Sequence, residues 1–266
     1  MNNALQGVHV LVTRPTHQAE NLCQLIEQQG GIAVRFPTLE VVGINPKPDN
    51  QPDNLSIATN PLSKLSNLHW LLFISANAVN FALKANGGKI AQLKAMQIAA
   101  IGQATAKALQ KVGLQVNVLP KAGFDSDALL AMPELQQVNG QNILIVRGLG
   151  GREELANVLR SRGANVDYWE VYQRIIPDVD NAEVVSLLEQ NKLDVIVITS
   201  CEALQNLITM LGTAYTKPLT TVWLVVISDR IKRLAVEMGF TRVAVTEYPS
   251  DSAILDAVCV VINRVC

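Results

Sequence analysis

Apolar residues along the chain fall into two recurring patterns. Short unbroken runs such as HVLV, WLLFI, ILIV, DVIVI and WLVVI are each followed by stretches in which apolar residues recur at i, i+3 and i+4. Leu22, Leu25 and Ile26 fall this way after the first run, and Leu155, Val158 and Leu159 after ILIV. The runs predict strands buried on both faces, and the wider spacing predicts amphipathic helices between them. Strands alternating with helices predict parallel sheets in doubly wound α/β domains.

The pattern also repeats. GVHVLVTRPTHQAENLCQLIEQQGG from Gly7 aligns without a gap on GQNILIVRGLGGREELANVLRSRGA from Gly140. Gly7 meets Gly140, Arg14 meets Arg147, Glu20 meets Glu153 and Gly30 meets Gly163. A second unit, LHWLLFISANAVNFALKANGG from Leu68, aligns with LDVIVITSCEALQNLITMLG from Leu193, setting Ser75 on Ser200. A third sets Ile101 on Ile227 and Gly113 on Gly239. Two copies of three units predict two similar domains, with the proline-rich stretch NPKPDNQPDNLSIATNP between the first and second units as a surface linker. The repeat leaves the pairing open. Continuous halves would break near residue 138, whereas a crossed arrangement would join the first unit of one copy to the later units of the other.

Composition narrows the partners. Lys+Arg 22 against Asp+Glu 23 gives a formal net charge of -1, so no global basic field is present for nucleic acid. The apolar runs are far short of a membrane span. The opening MNNALQGVHVLVTRP has no basic segment before a long apolar core, so no secretory signal is expected. The four cysteines show no Cys-x-x-Cys spacing and read as free thiols of a reducing compartment, and the three histidines form no ligand pattern.

The repeated polar features all lie where a strand would hand over to a helix. Arg14 and Arg147 close the first strands, Ser75 and Ser200 the second, Gly102 and Ser228 the third. In open parallel sheets ligands bind at these ends, where free amides and helix dipoles attract anions. Two such rims would suit a cleft. The stretch RGLGGRE from Arg147 is no dinucleotide fingerprint, because Glu153 stands in the place of the third glycine, and it lacks the G-K-[ST] of a phosphate loop. Arginines at both ends of its glycines favour carboxylates, which guanidinium pairs bidentately. Asp125 and Asp127 read as helix caps directed away from any anion.

In order along residues 7–258, VLVTRP, FISANAV, IAAIGQATAKAL, DSDALL, ILIVRGLGGREELANVLRSRGANVDYWEVYQR, ITSCEAL and VISDRIKRLAVEMGF resemble the motifs of bacterial uroporphyrinogen-III synthases. The R-G-x-G-G-R-x-x-L stretch followed by V-x-x-Y-x-R is the most specific of them. The resemblance implies a cytoplasmic lyase of tetrapyrrole (haem and sirohaem) biosynthesis. Such an enzyme cyclises hydroxymethylbilane with loss of water and inversion of ring D, through an azafulvene and a spirocyclic intermediate. It implies no metal or organic cofactor, a monomer, no nucleic acid or membrane partner, and transient contact with the preceding enzyme, hydroxymethylbilane synthase. The implied fold is two α/β domains of crossed topology: residues 1–36 with 175–266, and residues 43–167. A two-stranded ladder of residues 37–42 and 168–174 joins them, with hinge motion about it.

Carried over residue by residue, the resemblance makes Tyr172 the general acid for water loss, since a phenol keeps its proton at neutral pH. Arg14, Arg147, Arg152 and the amides of Gly148 and Gly150 would hold the acetate and propionate groups, together with Ser75, Asn77, Ser200 and Thr105. The second copy departs from the family's glycine-threonine pattern at ISDRI, where Ser228 and Arg230 offer substitute contacts. Residues alone fit a second reading equally well: a two-domain protein that binds an anionic small molecule without chemistry.

Overall fold

A computed structural model describes residues 3–44, 67–89, 91–123 and 125–262; the proline-rich linker lies outside them. In chain order the elements begin β1 (His9–Val12), α1 (Thr16–Gln28), β2 (Ile32–Arg35), β3 (Glu40–Gly43), β4 (Trp70–Phe73), α2 (Ala76–Ala85), β5 (Gln97–Ala100) and α3 (Gln103–Lys111). They continue with α4 (Ser126–Leu130), β6 (Asn142–Gly148), α5 (Glu154–Ser161), β7 (Asn165–Ile175), α6 (Ala182–Glu189), β8 (Leu193–Ile198) and α7 (Cys201–Leu211). The last are α8 (Thr216–Leu219), β9 (Trp223–Val226), α9 (Asp229–Glu237), β10 (Val243–Val245) and α10 (Asp251–Val261).

The chain divides into two compact units, residues 1–40 with 175–266 and residues 41–174. The first holds a sheet of order β10-β9-β8-β1-β2, parallel throughout. The second holds β3-β7-β6-β4-β5, in which β7, β6, β4 and β5 are parallel neighbours. Each sheet therefore combines the first repeated unit of one copy with the later units of the other: β1 pairs with β8, and β6 with β4.

Both sheets are buried on both faces, as their uninterrupted apolar runs require. Side chains alternate between faces with period two. In the first sheet Val10, Val12, Val195, Val197 and Val225 pack under α1 and α10, with Leu22, Ile26, Ile254 and Val258. Leu11, Ile196, Ile198, Leu224 and Val226 point to the other side, towards α6, α7 and α9. In the second sheet Leu71, Phe73, Ile98 and Val146 face α2 and α3, while Trp70, Leu72, Ile143 and Ile145 face α4 and α5.

The matched glycines of the repeat have matched geometry. Gly30 has φ +79 and Gly163 φ +84, left-handed values at the ends of α1 and α5. The amide after each glycine reaches back to the helix: Gly31 to Ile26 O at 3.0 Å, and Ala164 to Leu159 O at 3.2 Å. This turn points the chain into the next strand of the sheet. Cys23 and Cys201 are free thiols. Among the described residues, no helix is long and apolar enough to cross a membrane.

Candidate active site

In the second unit the loop Gly148–Arg152 leaves the carboxyl end of β6 and enters α5. Neighbouring β7 supplies three side chains to it. Arg147 is only 5% exposed, and its guanidinium is engaged by the protein itself. Nε and Nη2 donate to Glu170 Oε1 at 3.1 and 2.9 Å, and Nη1 donates to Glu153 Oε1 at 2.9 Å. Nη1 also reaches the carbonyls of Gly151 at 3.2 Å and Arg152 at 3.4 Å. The guanidinium lies over the Tyr168 ring, 3.6 Å from its centre, and the Tyr168 hydroxyl donates to the second oxygen of Glu153.

The charges of this cluster lock each other. Burial opposes the charged form of Arg147, but hydrogen bonds to Glu170 and Glu153 outweigh it and raise the guanidinium pKa. The Tyr168 hydroxyl and then Arg147 hold the Glu153 carboxyl below the ordinary glutamate value. Burial, then the bond to Glu153, pushes the Tyr168 phenol up. Arg147 thus grips the loop from below. Arg152 is the exposed cation of the loop, and no hydrogen bond or ion pair ties its side chain among the described residues.

Tyr172 sits at the same end of the sheet, 5% exposed. The register slips between Arg147 and Gly148, so that Gly148 faces Tyr172 where Arg147 faces Glu170. Tyr172 consequently joins the core of Trp169 and Val171. Its ring lies against Phe81 of α2, with centroids 5.8 Å apart. Its carbonyl accepts from Leu149 N–H at 2.8 Å. Its hydroxyl is 3.2 Å from Ser75 Oγ, which also caps α2 by accepting Ala78 N–H at 3.0 Å. Gly150 turns the loop with φ +71. Asn77 is half-buried in the first turn of α2, and Thr105 is buried in the first turn of α3.

The first unit carries its own rim. Ser200 accepts Ala203 N–H at 3.0 Å and Ser228 accepts Ile231 N–H at 3.5 Å, capping α7 and α9. Arg230 is exposed, and no hydrogen bond or ion pair holds its side chain among the described residues. Arg14 donates through Nη1 to Asp251, whose other oxygen accepts from Asn21 Nδ2 at 2.7 Å. Arg14 Nε is buried without a hydrogen-bond partner among the described residues. The twin arginines therefore differ: Arg147 is held by two carboxylates, Arg14 by one. Asp125 caps Ala128 N–H at 2.8 Å.

The sequence profile of uroporphyrinogen-III synthase HemD matches residues 20–256. The chain belongs to the uroporphyrinogen-III synthase family. The Escherichia coli (strain K12) uroporphyrinogen-III synthase is 34% identical over 252 residues, covering 93% of this chain and 98% of the relative. The Salmonella typhimurium one is 33% identical over 261 residues, covering 93% of this chain and 98% of the relative. In fold, the chain is similar to a mutant uroporphyrinogen III synthase from the extremely thermophilic bacterium Thermus thermophilus, at TM-score 0.60 and 19% identity over 96% of this chain and 99% of that one. It is likewise similar to the Helicobacter pylori enzyme, at TM-score 0.56 and 16% identity over 94% and 97%.

Glu153, Glu170, Tyr168 and Asp251 escaped sequence reasoning as partners of the two arginines. Alternation along β7 held the signal for one pair: Tyr168 and Glu170 are two apart and therefore share a face of the strand next to Arg147. For Asp251, 237 residues from Arg14, the sequence carries no such signal.

Proposed function

We propose that the chain cyclises hydroxymethylbilane to uroporphyrinogen III, with loss of water and inversion of ring D. Membership of the uroporphyrinogen-III synthase family carries this reading. The site's geometry supports the roles. Tyr172 is the general acid: its phenol, anchored by Ser75, protonates the departing hydroxyl while the pyrrole nitrogen supplies the electrons. The azafulvene so formed is attacked through the substituted carbon of ring D, and the spirocyclic product fragments and recloses. The substrate brings its own driving electrons, so the protein chiefly holds the chain in the productive fold.

Carboxylates of the substrate meet Arg152 and the Gly148 and Gly150 amides in one unit, with Asn77 and Thr105 beside them. Arg14, Ser200, Ser228 and Arg230 offer contacts in the other. The chemistry so described calls for no metal or organic cofactor. The enzyme acts in the cytoplasm as a monomer and receives its unstable substrate from hydroxymethylbilane synthase.

The test adds hydroxymethylbilane to the pure protein and separates the product isomers. The type III isomer should dominate. A protein that only binds the anion would leave the spontaneous type I isomer dominant.

A further inference from the structure

Glu153 occupies the N-cap position of α5, yet its side chain makes no cap hydrogen bond. A glutamate side chain is longer than the Ser, Thr, Asp and Asn side chains that favour this position, and it is free to reach elsewhere. Here the side chain turns away, taking Arg147 Nη1 on one oxygen and the Tyr168 hydroxyl on the other. One carboxylate thereby joins the strand β6 arginine to the β7 tyrosine at the base of the loop.

We propose that Glu153 is a positioning residue which, with Glu170 and Tyr168, clamps Arg147 and thereby fixes the loop Gly148–Arg152. The proposal rests on the functional reading above and deepens it. Two glutamates already hold the one guanidinium, and Arg160 lies 5.4 Å from the centre of the Tyr168 ring in the same cluster. Binding substrate at Arg147 would require displacing a partner from a buried cation, which is costly. Arg147 instead ties together both ends of the loop: its backbone lies in β6 directly before Gly148, and its Nη1 holds the Gly151 and Arg152 carbonyls. Between those ties, Gly148 lies beneath the Tyr172 ring and Leu149 N–H is bonded to the Tyr172 carbonyl. The clamp therefore sets two things at once: the place of the phenol and the direction of Arg152.

Glu153 is exposed, so its replacement spares the core. Two variants separate positioning from bulk stability. Glu153→Ala removes both contacts. Glu153→Gln keeps them, because its amide oxygen can accept from Arg147 while its amide nitrogen donates to the Tyr168 oxygen. In substrate-free protein, hydrogen exchange of the Leu149 amide, bonded to the Tyr172 carbonyl at 2.8 Å, should quicken about tenfold or more in Glu153→Ala and stay near wild type in Glu153→Gln. With hydroxymethylbilane, Glu153→Ala should raise KM and lower kcat, each about fivefold, with Glu153→Gln restoring both. Unchanged exchange and constants within about twofold in Glu153→Ala would overturn the clamp, as would a Glu153→Gln as impaired as the alanine variant. If wild type fails to turn over hydroxymethylbilane, the functional reading falls, and the exchange measurement still decides the clamp.

Discussion

Gly148 and Tyr172 are in such close contact that a Cβ on the glycine would come within 2.5 Å of the tyrosine Cε2 and 2.7 Å of its Cζ. Two neighbouring strands meet at this point with a slipped register, and the glycine exists to admit the ring. Gly148→Ala should therefore push the phenol away from Ser75. Its effect should be mainly on kcat, a fall of about tenfold or more, because a small displacement of a proton donor is enough to weaken it. The same substitution at Gly140, where nothing lies within 4 Å but φ is +72, should cost stability through backbone strain and leave kcat intact. Steady-state kinetics and melting temperatures of the two variants test the contrast.

Arg152→Ala addresses binding. The side chain is exposed and unpaired among the described residues, so its removal leaves no buried partner behind. A charge-assisted contact to a carboxylate contributes about 1.5–3 kcal/mol when dry and less when solvated. KM should rise by about three- to tenfold at unchanged kcat, and the effect should shrink in high salt. An Arg152→Ala enzyme with wild-type KM at low salt would take this residue out of the substrate site. Arg147→Ala should behave differently, lowering the melting temperature, because it leaves Glu170 without its partner.

Much of the fold was legible because it rests on local rules. Apolar runs buried on both faces, and glycines such as Gly30 and Gly163 at the helix ends, leave their mark in any window of the sequence. The site was legible in part. Arginine at a strand end beside glycines says that a cation and free amides share a loop; it does not say whether the cation faces outward. Arg147 and Arg152 look alike in sequence and differ because Glu170 on the next strand and Glu153 on the next helix reach only the first. Gly148 reads in sequence as an amide open to an anion; its close contact with an aromatic ring leaves no mark there. That contact depends on a register slip between β6 and β7, which no periodicity predicts. Arg14 and Asp251 are brought together by the packing of α1 against α10, a tertiary fact with no local trace.

The Glu153 cluster predicts a particular pH dependence. The Glu153 carboxyl is held below its ordinary value. A depressed carboxyl stabilises the fold above its unfolded pKa and loses that contribution as pH falls through the folded one. Tyr168 is raised, so its contribution is present below the ordinary phenol pKa and lost as pH climbs through the higher folded value. The melting-temperature difference between wild type and Glu153→Ala should thus stay flat from about pH 5 to 9 and shrink outside that range on both sides. A difference that varied steeply near neutrality would show that another group controls the cluster.

Tyr172→Phe bears most directly on the chemistry. The substitution keeps the ring, its contact with Phe81 and its place over Gly148, and removes only the hydroxyl 3.2 Å from Ser75. Ser75 keeps its cap bond to Ala78, so no polar group is stranded and the melting temperature should change little. If the phenol delivers the proton to the departing hydroxyl, kcat should fall by about 10²-fold at nearly constant KM. Ser75→Ala should lower kcat less, by loosening the phenol without removing it, and should also cost about 1 kcal/mol of stability through the lost cap. A Tyr172→Phe enzyme within a few-fold of wild-type kcat would mean that a substrate carboxyl or a water delivers the proton. A large fall in its melting temperature, with kcat of the folded protein unchanged, would make Tyr172 a packing residue.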